Sequence, residues 1–223
     1  MRFLFILVLF LTLVIQSLNA QSGLTIYYKT YRIISDTEIY SGGADLVLAI
    51  KDSQSYTYYP GINNQPDNFP LGKTFIVKST YFNVNKKLLI DPYAYPNSPR
   101  TEALIVCEKP DYHWKITNEK KVILDDTCIK ATGKIGDRDI IAWYSPKLPA
   151  GFGIHHYVGL PGTILETYMP ERQIQTVAVS IEYSSPDIIV PNYFRRVTEK
   201  TYLRKRSASE NPKVKWKERD FID

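Results

Sequence analysis

Apolar positions in this chain come in short alternating runs, rich in β-branched and aromatic residues and separated by clusters of Gly, Pro, Asn and Asp. That is the signature of strands joined by turns. Residues 24–33 predict a first strand. Ser41-Gly42-Gly43 marks a turn, and residues 46–50 and 56–59, around Asp52-Ser53-Gln54, predict a hairpin. Residues 60–72 read as a loop. Further strands are predicted at 74–78, 81–85, 88–90 and 103–107, with a turn at Asn85-Lys86-Lys87 and a Pro/Asn-rich break over 92–99. Residues 114–117 and 122–124 read as two strands around a turn at Asn118-Glu119-Lys120-Lys121. Residues 127–132 alternate with period two. A hairpin tip at Ile135-Gly136-Asp137 leads into a strand over 140–145, which Pro146 ends for want of an N–H. Residues 174–183 form the longest alternation, with Gln175, Val177, Val179 and Ile181 on one face and Ile174, Thr176, Ala178 and Ser180 on the other. The frequency of turn signals predicts an all-β fold, a mainly antiparallel sheet forming a sandwich or half-barrel. A short amphipathic helix over 198–210 is the one helical candidate. Composition agrees, with 17 tyrosines and little alanine.

The ends of the chain depart from this pattern. Arg2 precedes an almost unbroken apolar run to Ile15, followed by Gln16-Ser17-Leu18-Asn19-Ala20 and a polar start at Gln21. Residues 1–20 read as a secretory signal peptide. The alternative is a membrane anchor, which needs about 20 apolar residues, more than this run offers. Residues 21–194 are expected to form a single β-rich domain, exported to the periplasm or beyond and touching membranes only peripherally. Residues 195–223 are expected to be a basic, mobile tail. The tail holds ten Lys or Arg against five Asp or Glu, so the formal charge of +5 belongs to it and, with Arg2 set aside, the domain is near −1. A basic nucleic-acid face is not indicated.

Two cysteines follow the signal segment, Cys107 and Cys128. In an oxidising compartment they are expected to pair, stabilising the fold by about 3 kcal/mol in the chain-entropy model. Two reduced, buried thiols are the alternative, and two cysteines are too few for a zinc site. His155 and His156 lie in a loop, and His113 is the only other histidine. A metal site would need them to converge with Glu166 or Asp111, but no His-x-His or His-x-x-x-His spacing exists, so they read as solvated loop histidines. Neither a Gly-x-Ser-x-Gly elbow nor a phosphate-cradling glycine loop is present. No catalytic, cofactor-binding or metal-binding residue is assigned and no cofactor is expected. The chain reads as non-enzymatic, with a hydrolase or metal-dependent enzyme as the weaker alternatives.

One stretch stands apart: Gly159-Leu160-Pro161-Gly162-Thr163-Ile164-Leu165-Glu166. Two glycines, free to take positive φ or to allow close backbone approach, flank a stiff Leu-Pro pair. The turn should deliver Ile164 and Leu165 into the core at a set angle. Upstream stand Trp114-Lys115-Ile116, Cys128 followed by Lys130 and Ala131, then Arg138, Ala142-Trp143-Tyr144 and Pro149. This succession closely resembles the GLPGLI family of exported Bacteroidota proteins over about 50 residues from Trp114. Thr163 replaces the Leu of the family's name and is expected at the strand edge, not deep in the core. Residues 149–153 lack the proline usual after the glycine. The resemblance implies a signal peptide, a β-rich exported domain and no established activity. It supplies no catalytic residues.

Two functions suit these residues. The first is a carrier whose concave face binds an apolar or lipid ligand in the cell envelope. The second is an interaction module that docks to an outer-membrane or surface partner. The motif is either a core turn without a ligand or the lining of a pocket or partner surface. Trp143 and Tyr144 must point to opposite faces of their strand. With Arg138 they are the candidate ligand or partner surface.

Overall fold

Strands form where the sequence alternates, and successive strands pair through short turns. The computed structural model describes residues 23–35, 38–40, 45–60, 79–93, 103–108, 112–135, 138–191, 195–198 and 200–201. The strands are β1 (Gly23–Ser35), β2 (Glu38–Tyr40), β3 (Leu46–Lys51), β4 (Gln54–Tyr58), β5 (Thr80–Asn83), β6 (Leu88–Tyr93) and β7 (Ala103–Glu108). They continue with β8 (Lys115–Ile123), β9 (Asp126–Ile135), β10 (Arg138–Ser145), β11 (Thr163–Met169), β12 (Ile174–Ser184) and β13 (Arg195–Thr198). All thirteen belong to one sheet, ordered β13-β7-β6-β5-β4-β3-β1-β12-β11-β10-β9-β8, with β2 beside β1. Every pairing is antiparallel except β13 with β7. The all-β architecture expected from the sequence is present.

Among the described residues, the terminal strands β13 and β8 do not pair, so the sheet they form is not a closed barrel. Yet Phe82 and Leu89 of β5 and β6 share one core with Ile26 and Tyr28 of β1, Ala131 of β9 and Ile140 of β10. Strands so far apart in the order can meet one core only if the sheet wraps around it, as in a half-barrel. Its interior is filled by the chain itself. Leu148, Phe152, Ile154, Tyr157, Val158 and Leu160, from the β10–β11 connection, are all buried in that core. Phe152 meets Phe82 edge-on at 6.4 Å. Burial of each such side chain contributes about 1.5–3 kcal/mol.

Three features depart from the sequence pattern. The turn expected at Asn118-Glu119-Lys120-Lys121 does not exist. Strand β8 runs through it, with a bulge between Ile116 and Lys120. The reversal comes at Leu124 and Asp125, both at positive φ (49° and 64°), as a two-residue hairpin loop requires. A polar run on an outward-facing strand imitates a turn, and a turn without glycine conceals itself. Second, the alternation of β12 is not continuous. The register with β1 slips between Tyr27 and Tyr28, leaving Val179 unmatched and 39% exposed while Ala178 is buried. Third, the Cys107–Cys128 disulfide is not formed: Cys128 is a free, buried thiol. Its strand β9 and the Cys107 strand β7 lie near opposite ends of the sheet order.

The signal segment, the strand expected at 74–78 and nearly all of the 198–210 helix lie outside the described residues. Among the described residues, no helix is long and apolar enough to cross a membrane.

Burial, reinforced by the nearby Asp126 carboxylate, pushes the Cys128 thiol up to about 11, so it is a poor nucleophile at neutral pH. Iodoacetamide at pH 8 should therefore leave Cys128 unlabelled in the native protein and alkylate it after denaturation without reductant. Labelling that appears only after reduction would restore the disulfide.

Candidate functional site

The motif begins as a tight turn held by its own backbone. The Gly162 N–H donates to the Leu160 carbonyl at 2.8 Å, a three-residue turn centred on Pro161. The fixed φ of proline suits that geometry. Gly159 has φ +94° with open space around it, so it is needed for its backbone conformation. Gly162 is needed for the opposite reason. A Cβ there would lie 2.1 Å from the Ser145 carbonyl oxygen. Of the two uses of glycine expected from the sequence, each is realised once.

This turn is stitched to residues 149–152. Gly151 N–H donates to Leu160 O (2.8 Å), Gly159 N–H to Gly151 O (3.0 Å) and Ile164 N–H to Phe152 O (2.9 Å). Thr163 corrects an expectation. It opens β11 but is fully buried, and its hydroxyl donates to Pro149 O at 2.6 Å. The hydroxyl is what lets threonine occupy this interior position beside a backbone carbonyl. Ile164 and Leu165 are buried as the pattern implied, Leu160 is buried with them, and the Tyr28 hydroxyl donates to Ile164 O at 2.7 Å.

Glu166, the motif's one carboxylate, faces the other way. Direct cross-strand pairing places Lys130, Trp143, Glu166 and Val177 in one row on the outer face. Lys121 reaches over from β8, its Nζ 2.5 Å from Glu166 Oε2 and 4.4 Å above the Trp143 ring. The Glu166 side chain is only 7% exposed and Lys121 32%, so the pair is partly desolvated and charge-matched. Lys130 is held in turn by Glu119 at 2.9 Å.

The candidate surface of Trp143, Tyr144 and Arg138 is therefore divided. Trp143 lies outward under Lys121, whereas Tyr144 is buried in the core. Arg138 is exposed at the start of β10, five residues along the strand from Trp143 and not beside it. Lys121 was concealed in the sequence because its segment reads as a turn.

The histidines are more engaged than a solvated loop would make them. His156 packs on Tyr157 with ring centres 4.5 Å apart, and its Nδ1 lies 3.6 Å from Asp91 Oδ2. Thr80 donates to the other Asp91 oxygen at 2.9 Å. The Tyr112 hydroxyl donates to His156 O, and Trp114 Nε1 to Val158 O at 2.9 Å. Burial works against the Asp91 charge, but the close His156 imidazole, the Thr80 hydrogen bond and the neighbouring His155 outweigh it, and the carboxyl is held below its ordinary value. Burial pushes Tyr59 and Tyr157 up to about 12, so both remain neutral phenols. Among the described residues, no three His, Cys, Asp or Glu side chains gather as a metal site.

Comparison with known proteins fits this geometry. Residues 134–166, spanning the end of β9, β10, the connection and the motif, match a family described as "Protein of unknown function (Porph_ging)". Two solved structures of PNGF-II, in space groups P21 and C2, are similar to this chain with TM-scores of 0.57 and 0.56. Each is 15% identical over 82% of this chain, a level that speaks for the fold alone. The chain spans 32% of the length of those structures. No curated protein matches.

Two outcomes follow from the site. Gly162→Ala should destabilise the protein by about 3 kcal/mol, since backbone must move to admit the methyl. Gly159→Ala should cost about 1–2 kcal/mol, for backbone conformation alone. Urea unfolding would compare them, and a Gly162 loss no larger than that of Gly159 would refute the close-packing account. The depressed Asp91 group stabilises the fold above its unfolded value, near 3.9, and that contribution is lost as pH falls through its lower folded value. Asp91→Asn should therefore flatten the acid limb of the stability curve below about pH 4. An unchanged acid limb would show that Asp91 carries none of it.

Proposed function

We propose that this chain is an exported, non-enzymatic β-domain of the GLPGLI kind that works as an interaction module. The motif supports that family reading, as does the match of residues 134–166 to a family of unknown function over the same hairpin, connection and motif. The observation that carries the proposal is the filled interior. A carrier would need its concave face open to a ligand, and here residues 148–160 occupy it. Chemistry that recognises something else is left to the outside of the sheet.

The outer surface offers one edge suited to a partner. Among the described residues strand β8 ends the sheet, and Ile116 and Val122 on it are 53% and 68% exposed, with Leu124 beside them at 37%. An exposed edge strand presents unpaired N–H and C=O groups to an incoming extended segment. The bulge after Ile116 and the lysines at 115, 120 and 121 guard the edge against indiscriminate pairing without covering it. The fold also occurs as about a third of a longer chain, which suits a module that works beside other parts.

A photo-crosslinking residue at Val122, introduced into the protein in its producing cells, should yield a discrete adduct. The same residue at exposed Gln173, in the β11–β12 turn, should not. Absence of a Val122 adduct, or an identical pattern from Gln173, would overturn this reading.

A further inference from the structure

A second feature of the outer face is independent of partner docking. An open groove of about 540 Å³ lies over the β8–β10 end of the sheet. That volume falls within the range of about 300–1,000 Å³ typical of small-molecule sites. Its cationic wall is built by register. Lys115 of β8 stands directly opposite Thr132 of β9, and Thr132 stands opposite Ile141 of β10. Lys134 follows two positions along β9, on the same face and about 7 Å further on. Lys115 and Lys134 are thus the strand neighbours of Thr132, one across and one along, while Ile141 and Pro170 give the groove an apolar side.

Charge selects the ligand. Lys134 is ion-paired with Asp139 at 3.5 Å, which offsets one cation. Glu171, nearby, is engaged by the Asp139 backbone N–H at 3.0 Å. Lys115 has no ion-pair partner among the described residues. Lys115 and Lys134 against Asp139 thus leave one fixed positive charge in the lining, which also holds His113, beside an apolar strip. We propose that this groove binds a small amphiphile with a singly charged carboxylate head, the head between Lys115 and Lys134 above Thr132 and the stem along Ile141 and Pro170. A doubly charged head would leave one charge uncompensated.

The test is an NMR titration of the ¹⁵N-labelled protein with octanoate, acetate, octyl phosphate and octyl glucoside. Octanoate should bind saturably, with amide shifts centred on Lys115, Thr132, Lys134 and Ile141. Acetate, lacking the stem, and octyl glucoside, lacking the charge, should each bind at least about tenfold more weakly. Lys115→Gln, at an exposed position that the fold does not need, should weaken octanoate about tenfold. The proposal fails if octanoate does not saturate, if octyl glucoside binds equally well, or if Lys115→Gln leaves the affinity unchanged. Tighter binding of octyl phosphate than of octanoate would overturn the single-charge assignment.

Discussion

A sheet that wraps but does not close must bury its concave face against something, because that face is apolar and hydrogen-bonded structure cannot leave it to water. This chain meets the constraint with its own β10–β11 connection. Phe152, Ile154, Tyr157, Val158 and Leu160 fill the space between strands that are distant in the sheet order. Remove that segment and β5 and β6 lose contact with what β9 and β10 pack against. The rest of the architecture follows from keeping those residues in place.

The motif is the device that keeps them there. The segment leaves β10 at Ser145 and must return to start β11 directly beside it, since Ser145 pairs with Thr163. The two backbones come so close at Gly162 that no side chain fits. The Pro161 turn sets the angle of return, and the hydrogen bonds to residues 149–152 fix both ends of the connection. The aromatic and charged contacts of Tyr112, Trp114, His156 and Asp91 secure its middle. The sequence feature most suggestive of a binding site is thus explained by packing, and its conformational demands need no ligand.

On the proposed reading, recognition falls to the outer face of β8, β9 and β10. There the charges are arranged in pairs, Lys121 with Glu166, Lys130 with Glu119 and Lys134 with Asp139. Lys115 stands outside these pairs, at the end of the sheet where the edge is open. Paired charges exert little net field at a distance, so the unpaired Lys115 beside apolar groups is what the proposed groove offers a ligand.

Much of the fold was legible in the chain. The strands β1, β3, β4, β6, β7, β9, β10 and β12 follow from alternation and from Gly, Pro and Asn punctuation, both local properties of a pleated backbone. The uses of Gly159, Pro161 and Gly162 were likewise legible, because glycine and proline act through their own backbone geometry. The errors share one cause. Asn118 to Lys121 read as a turn because nothing local shows that an edge strand faces water on both sides. Thr163 read as peripheral because nothing local shows a carbonyl at Pro149 waiting for its hydroxyl. Cys128 read as half of a disulfide because spacing along the chain does not give distance across a sheet. The Lys121–Trp143–Glu166 contact, the His156–Asp91 contact and the Lys115 groove exist only through strand register and sheet wrapping. Those are set by which faces can be buried together, a property of the whole sheet that no single stretch of sequence contains.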